Sequence, residues 1–334
     1  MDPEYAYNTV KQYLAMLSPE MLNMVAKQLY ADENLVLFYA APAKEGLAVP
    51  SEAELVDVLA QVKGAEIEAP KVSVSNEPLM DPATIAGSPV MREEQGKFGT
   101  TVWTLKNGIQ IIVKPTDYKK DEVMVKTVAK GGRSILADEL IPSFESNVFA
   151  TYLGGCGVGK FPESQLIKML TGKVVTVSPY IGSLEHGMTA SGSPKDLETM
   201  MQLMYMYYTQ PRFEASEFEA GFNQLKTIVP NIMKQPNMVF SKVLQETILG
   251  NSPRRPFISE ELLGKVSIDN IQKGYTKLMA DQAGLKVYIT GNVNLDELRP
   301  MVEKYIGSLP VLSAKGTAWV DEGITSPQGV QKNH

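Results

Sequence analysis

The chain is poor in the two side chains that most often bind zinc. Its 334 residues include two histidines, His186 and His334, and one cysteine, Cys156. A single cysteine excludes an internal disulfide and a zinc site built from cysteines. The two histidines lie far apart in the sequence, so they cannot form the pair at i and i+4 of a helix that zinc-dependent peptidases use.

The chain also lacks long apolar runs and an excess of positive charge. No apolar run approaches the roughly 18 residues that cross a bilayer, and residues 1–20 lack the pattern of a secretory leader. The net charge of −6 argues against a nucleic-acid or anionic-membrane surface. A hydrophobic content of 44% is sufficient for a buried core, so we expect a globular protein without a nucleic-acid partner or a membrane span.

Part of the sequence is repeated. Residues 18–40 align with residues 267–290, and each copy continues into a helical pattern, over 52–62 and 295–306. Self-similarity at a long period indicates duplicated structural units. We therefore expect the chain to be a piece of a longer protein that begins inside one repeat and contains one complete copy of the next. The matching residues are Leu29, Ala31 and Asp32 with Leu278, Ala280 and Asp281, and Leu35, Leu37 and Phe38 with Leu285, Val287 and Tyr288.

The local patterns divide the chain into parts. Apolar spacing predicts helices over 7–17 and 20–30 and a buried strand over 35–39. Residues 68–97 are rich in Pro, Ser and Glu without periodicity, which is typical of a linker. We predict four segments: the C-terminal end of a preceding domain (1–64), a linker (65–99), a complete domain (100–313) and a lead into a following domain (314–334).

The complete domain is predicted to open with a β-hairpin. Asn107-Gly108 separates two strands, and this dipeptide is the strongest short signal for a hairpin. Strands and helices then mix without a one-to-one alternation. We therefore predict an α+β fold with an antiparallel-rich sheet and helices packed on one face. The predicted strands are 101–105, 109–114, 122–129, 174–177, 184–190 and 285–290, and the predicted helices are 140–153, 163–170, 197–208, 215–233, 239–249 and 270–280.

His186 ends the stretch Gly182-Ser-Leu-Glu-His, which is half of the zinc motif H-x-x-E-H with glycine in place of the first ligand. Thr176, Val177 and Thr189 nearby, together with alternating apolar residues, favour a strand over the helix that this motif needs. We predict that His186 is a strand residue without a metal.

The segment GGCGVGK at 154–160 fits the phosphate-binding pattern G-x-x-x-x-G-K. Phe161, however, takes the place of the Ser or Thr that holds Mg²⁺, and the preceding residues look helical instead of forming a strand. We predict a glycine-rich loop, with a nucleotide-binding protein as an alternative that ATP stabilisation would test. Cys156 in this segment could act as a nucleophile only beside a histidine base.

Three further groups of side chains have both a structural and a functional interpretation. The methionines and tyrosines of 200–208 favour a helix core over an adaptable binding face, because Leu197 and Leu203 extend the stripe. Arg254 and Arg255 are interpreted as a solvated pair, with a grip on an anion as the alternative. Glu260 and Glu261 indicate the first turn of a helix.

From Trp103 to Pro310 the chain resembles a domain of the M16 metallopeptidases, the group of pitrilysin, insulysin and the mitochondrial processing peptidase. Residues 7–62 resemble the end of the preceding domain in that family, in agreement with the internal repeat. The resemblance is carried by LKNG (105–108), GVGKF (157–161), LTGK (170–173), SPKDLE (193–198), TQPRF (209–213), GNVNLDEL (291–298) and Leu309-Pro310.

The resemblance implies an M16 fold of the LuxS and mitochondrial-processing-peptidase type, in which related αβ domains enclose a chamber. In the catalytic domain of that family H-x-x-E-H follows the L-x-N-G hairpin by about forty residues. The corresponding stretch here is Phe144-Glu-Ser-Asn-Val-Phe-Ala150, without histidine. The family's zinc ligands and glutamate base therefore have no counterpart, so we assign no catalytic or metal residues, and the substrate-binding residues stay unknown.

The resulting hypothesis is a non-catalytic segment of a bacterial M16 zinc endopeptidase that encloses the peptide substrate. The parent would be the enzyme and this chain alone would be inactive, with zinc expected in a domain of the parent upstream of this chain. The alternative is an inactive scaffold or partner subunit of the same fold. The expected partners are the other domains of the parent or a catalytic M16 partner, together with a peptide substrate. The resemblance favours the periplasm or cell envelope.

Overall fold

The structure is a computed structural model that describes residues 2–29, 35–41, 46–66 and 77–332. The chain separates into two compact units, residues 1–72 and 73–334. The second unit includes residues 100–313, for which a complete domain is predicted from the sequence.

The first unit contains three helices: α1 (Pro3–Met16), α2 (Pro19–Leu29) and α3 (Glu52–Gly64). Ser51 begins α3 with a capping box, in which its hydroxyl accepts from the Glu54 backbone N–H while the Glu54 carboxylate accepts from the Ser51 backbone N–H. None of the residues described in these helices is buried.

The predicted strand over 35–39 is wrong for this structure. Residues 35–41 have neither strand nor helix conformation, and Val36 and Phe38 are each 85% exposed. A strand is stable only when a neighbouring strand satisfies its backbone groups, and none of the strands described in this chain pairs with these residues. The matching residues Ala31 and Asp32 of the internal repeat lie outside the described part of the chain.

The second unit is built on a seven-stranded sheet in the order β1-β2-β3-β7-β4-β6-β5. Strands β3 and β7 are parallel, and the other neighbours are antiparallel. The strands are β1 (Val90–Gln95), β2 (Thr101–Leu105), β3 (Gln110–Pro115), β4 (Val123–Lys130), β5 (Val175–Ile181), β6 (Glu185–Gly192) and β7 (Lys286–Gly291).

Helices cover one face of this sheet, as predicted, and the fold is α+β. Side chains of β4 and β7 alternate between buried and exposed along each strand, so one face lies against the core. The helices are α4 (Ser146–Cys156), α5 (Glu163–Met169), α6 (Leu197–Thr209), α7 (Ala215–Ile232), α8 (Pro236–Ile248), α9 (Glu260–Leu263), α10 (Ile268–Met279) and α11 (Leu295–Tyr305).

The hairpin predicted at Asn107-Gly108 is confirmed and is tied to the end of α11. Gly108 has a φ of 89°, which glycine adopts without strain. The Asn107 amide donates to the carbonyls of Ile306 and Gly307, each at 3.2 Å. The turn therefore links β2 and β3 to the C-terminal part of the domain.

The segment predicted as a linker contains structure that its composition does not reveal. Strand β1 pairs along β2, and the Val90 N–H donates to the Glu303 carboxylate at 2.8 Å. β1 is an outer strand that carries Arg92, Glu93 and Glu94, and charged side chains of this kind protect a sheet edge from further pairing. Part of residues 65–99 therefore belongs to the sheet, while the four-part division of the chain stays a prediction.

The helix predicted over 140–153 is two elements. Residues Asp138–Phe144 form a 3₁₀ helix containing Pro142, and α4 begins only at Ser146 and continues through Gly154 and Gly155 to Cys156. Proline has no N–H for an α-helical hydrogen bond, which explains the break.

Candidate functional site

Helix α4 occupies the place in the sequence where the M16 resemblance puts the zinc motif. The Glu145 carboxylate caps it by accepting from the Asn147 and Val148 backbone N–H groups, at 2.9 and 3.2 Å. Its buried side chains are Val148, Phe149, Tyr152 and Cys156. The inward face of this helix is therefore apolar and aromatic.

Aromatic rings fill the space next to α4. Tyr152 stacks on Phe213 with ring centroids 5.4 Å apart, and Tyr275 meets Phe213 edge-on at 5.7 Å. Burial raises the pKa of Tyr152 and of Tyr275, so both phenols stay neutral. The Tyr275 hydroxyl donates to the Tyr207 carbonyl at 2.8 Å. These rings hold α4 against α10 as a packed core.

His186 lies on β6, as predicted, and its side chain is buried. The Gly132 backbone N–H donates to Nδ1 of the imidazole at 3.2 Å, so the proton of the neutral ring is on Nε2. Burial lowers the pKa of His186 from 6.5 to about 4, and a hydrogen bond with the Leu278 backbone offsets this only in part. His186 is therefore a neutral side chain whose ring is hydrogen-bonded to two backbone groups.

The described residues do not fit a zinc ion. Among them no group of three or more His, Cys, Asp or Glu side chains is placed to hold a metal, and Nδ1 of His186 already accepts from the Gly132 backbone N–H. We accordingly derive no hydrolytic step for this chain. The assignment of no catalytic or metal residue stays a prediction.

The glycine-rich segment is not a phosphate loop between a strand and a helix. Gly154 and Gly155 are in the last turn of α4, and Gly157 ends the helix with a φ of 66°. Lys160 forms an ion pair with Glu77 and lies over the Phe161 ring. The segment is therefore the C-terminal end of a helix and a turn, and the predicted loop begins later than expected.

Cys156 is buried, and burial raises the pKa of its thiol. Its Sγ is 3.9 Å from the Glu214 carbonyl oxygen, a weak contact. A raised pKa disfavours the thiolate, which is the reactive form. The structure thus gives Cys156 the environment of a core residue.

The other candidate groups are structural in this chain. The α6 methionines 200, 201, 204 and 206 are buried in the core, as predicted. Glu260 and Glu261 lie in the first turn of α9, also as predicted. Arg254 and Arg255 are not solvated, since each side chain is 13% exposed and both bind the Glu322 carboxylate.

The face of the sheet opposite the helices carries a groove that motif analysis missed. Its volume is about 400 Å³, and it crosses β4, β5, β6 and β7. Met124 and Tyr288 supply apolar surface, and Lys126 forms an ion pair with Glu185 at 2.9 Å. The sequence feature that could have indicated this groove is the set of exposed side chains at every second position of these strands. The lining residues are Met124, Val125, Lys126, Thr176, Thr189, Ala190, Ser191, Tyr288 and Thr290.

Sequence comparison finds two zinc proteases. The chain is 26% identical over 220 residues to the zinc protease PQQL-like of Arabidopsis thaliana. The matched stretch covers 65% of this chain and 20% of that protein. The chain is 20% identical over 212 residues to the probable zinc protease PqqL of Escherichia coli, covering 63% of this chain and 22% of that one. The chain thus matches about a fifth of the length of each relative. No family model matches the sequence.

Solved structures share the fold. The periplasmic protease PqqL from Escherichia coli matches with a TM-score of 0.63 at 17% identity, covering 83% of this chain and 30% of PqqL. A peptidase M16 inactive domain from Pseudomonas fluorescens matches with a TM-score of 0.51 at 11% identity, covering 65% of this chain and 53% of that domain. The chain is thus similar in sequence to zinc proteases and shares the fold of M16 peptidases.

Proposed function

We propose that this chain is a non-catalytic part of an M16-type peptidase and that its open sheet face lines the chamber holding the peptide substrate. The observation that carries the proposal is the groove across β4, β5, β6 and β7, on the sheet face opposite the described helices. Zinc-dependent hydrolysis would belong to another domain or a partner subunit. By analogy with the periplasmic PqqL, we also propose the periplasm or cell envelope as its location.

The chemistry of the groove suits an extended peptide. Hydroxyl groups of Thr176, Ser191 and Thr290 line it beside Met124 and Tyr288. Hydroxyls can pair with the backbone of a bound chain, while a thioether and a phenol ring adapt to varied side chains. The Lys126 charge is neutralised by Glu185, so the groove has no strong preference for one sign of charge. We therefore propose contacts of low sequence specificity.

The non-catalytic part of the proposal has a direct test. The full chain, incubated with fluorogenic peptides and zinc, should show no hydrolysis, and EDTA should leave its melting temperature unchanged. Hydrolysis that EDTA abolishes would contradict the proposal. A chain that neither hydrolyses nor binds peptides would instead favour the inactive scaffold or partner subunit.

We also propose that the first unit is the end of a second domain of the same fold. In the second unit β7 lies between β3 and β4, with Val287 fully buried. The internal repeat aligns Leu37 with Val287, and α2 and α3 with α10 and α11. Residues 35–39 would then be a central strand of another sheet, whose flanking strands come from another part of the parent or from a partner subunit.

Two matched substitutions test this assignment. Val287→Lys buries an unpaired charge in the centre of the sheet and should prevent the second unit from folding. Leu37→Lys, at the equivalent position of the repeat, should leave the melting temperature of the chain unchanged because Leu37 is exposed here. Equal destabilisation by the two changes would mean that residues 35–39 already have their sheet within this chain.

A further inference from the structure

The last part of the chain crosses the second unit as an extended strap, which we define as residues 313–331. The described residues of this strap contain no helix or strand. Several residues along the strap form hydrogen bonds with the rest of the second unit. Ser313 bonds to Asp281, Thr317 bonds to the Lys130 carbonyl, and the Val320 N–H donates to the Ser134 hydroxyl at 2.9 Å.

Apolar burial does not account for the attachment of the strap. Trp319 and Val320 are each about half exposed and Val330 more so, and Ile324 is only partly buried. Beyond Glu322 the strap lies along α8 and forms one wall of a groove of about 470 Å³ with Phe240, Leu244 and Ile248. These three side chains are themselves largely exposed. The strap therefore needs an anchor of another kind.

Glu322 provides a buried charge at the middle of the strap, with a side chain only 5% exposed. Its Oε1 accepts from Nε of Arg254 at 2.8 Å and from Nη1 of Arg255 at 3.1 Å. Its Oε2 accepts from Nη2 of Arg255. Two guanidinium groups thus hold one carboxylate, and hydrogen bonds between charged groups of this kind are the strong ones.

The two arginines also have hydrogen bonds that do not involve Glu322. Arg254 donates to the carbonyls of Leu136 and Arg133, at 2.9 and 2.8 Å, and to the exposed Asp138 carboxylate at 2.6 Å. Arg255 donates to the Arg254 carbonyl at 2.9 Å. This network belongs to the loops before α4 and after α8, so the body of the domain presents a ready-made carboxylate site.

A third arginine adds to the positive charge of the site. Arg133 is partly buried, its Nε has no hydrogen-bond partner, and Nη1 donates to the Phe144 carbonyl at 3.3 Å. Burial and the neighbouring Arg255 lower the pKa of Arg133, while Glu322 and Glu145 act in the opposite direction. Removing Glu322 would leave Arg254 and Arg255 without the buried carboxylate that both contact, which is unfavourable in a protein interior.

We propose that Arg254 and Arg255, beside Arg133, form a carboxylate-binding site for an extended peptide segment, and that Glu322 occupies it within this chain and fastens the strap to the domain. The ligand class is a carboxylate on an extended backbone, because the strap around Glu322 has no helix or strand and the backbone N–H of Val320, two residues before it, donates to the domain. We call the contact between the Glu322 carboxylate and this site the latch, because it holds the strap on the domain. When the carboxylate leaves, the groove along α8 opens.

Hydrogen exchange of the full chain tests the latch. Glu322→Gln keeps the size of the side chain and removes its charge. The Val320 amide, which donates to the Ser134 hydroxyl, should then exchange at least about tenfold faster, while β4, β6 and β7 keep their protection. Asp321→Asn is the matched control, since the neighbouring Asp321 accepts only from the nearby Gly323 N–H at 3.0 Å and the change should have no effect on the strap.

Two further measurements keep the outcome decisive. Arg255→Gln should speed hydrogen exchange at the same amide, and the double variant with Glu322→Gln should speed it no further. A synthetic peptide of residues 313–331 should bind to the Glu322→Gln chain, and the same peptide with glutamine at 322 should bind at least about tenfold more weakly. Equal binding of the two peptides would overturn the proposal. So would unchanged exchange in the strap, or an equal rise in exchange across the whole sheet.

Discussion

The neutral, buried His186 should make the stability of the second unit depend on pH. In the folded chain burial holds the pKa of His186 at about 4, whereas an exposed imidazole titrates near 6.5. Between these values the unfolded chain binds a proton that the folded chain does not bind. Stability is therefore complete above pH 6.5 and falls as the pH is lowered toward 4.

The size of the effect follows from the two pKa values. The free energy of unfolding should fall by about 2 kcal/mol between pH 7 and pH 5, and by about 3 kcal/mol between pH 7 and pH 4. For a unit of this size about 2 kcal/mol corresponds to roughly 4–8 °C in melting temperature. This contribution adds to those of other groups that titrate in the same range.

The substitution His186→Asn isolates the contribution of His186. The asparagine amide oxygen can take the place of Nδ1 and accept from the Gly132 N–H, but the side chain does not titrate. The variant should be less stable at pH 7, because the ring volume and the contact with the Leu278 backbone are lost. Its loss of stability on acidification should be smaller than that of the parent chain by the amount given above.

The assay is chemical denaturation at pH 7, 6, 5 and 4.5. Both chains carry His334→Gln, so that one chain has His186 as its only histidine and the His186→Asn chain has none. The free energy difference between the two chains should shrink steadily as the pH falls. A difference that stays constant within 0.5 kcal/mol, roughly the uncertainty of additive comparisons, would refute the argument that His186 is neutral and buried.

Three further predictions follow from the surroundings of individual residues. Gly274→Ala should destabilise the second unit by about 1–3 kcal/mol, because its Cβ would lie 2.2 Å from the Phe144 ring, and Gly154→Ala, with open space around it, should be neutral or slightly stabilising in the same denaturation assay. Glu163→Gln should raise the melting temperature at pH 7, because Oε2 is buried without a partner and burial raises the pKa of this carboxyl; a fall would show that the charge is stabilised in the fold. Cys156 should react with thiol reagents only in denaturant, and rapid labelling of the native chain would contradict its burial.

Local patterns were sufficient to predict most elements of the second unit. The hairpin at Asn107-Gly108 and the helices of 197–208 and 215–233 were predicted close to their observed bounds. These elements follow from turn chemistry and from the spacing of apolar residues, both of which are local. The α+β class followed from their order along the chain.

Features that depend on distant partners were not predictable in this way. Strand β1 is charged and looks like a linker, and it becomes a strand only because β2 lies beside it. Residues 35–39 have the apolar pattern of a strand but no neighbour among the described strands. The Arg254–Glu322 pair joins residues far apart in sequence, so local analysis suggested a solvated pair of arginines.

The central claim is that the open sheet face contacts an extended peptide, and photo-cross-linking tests it most directly. A benzoylphenylalanine at position 288 places the reactive group in the groove, and the same residue at position 167 places it on α5, where Ile167 is exposed. After irradiation with a mixture of unfolded peptides, position 288 should form abundant adducts that excess unlabelled peptide suppresses, and position 167 should form few. Equal labelling at the two positions, or more at 167, would contradict the assignment of this face to the substrate chamber.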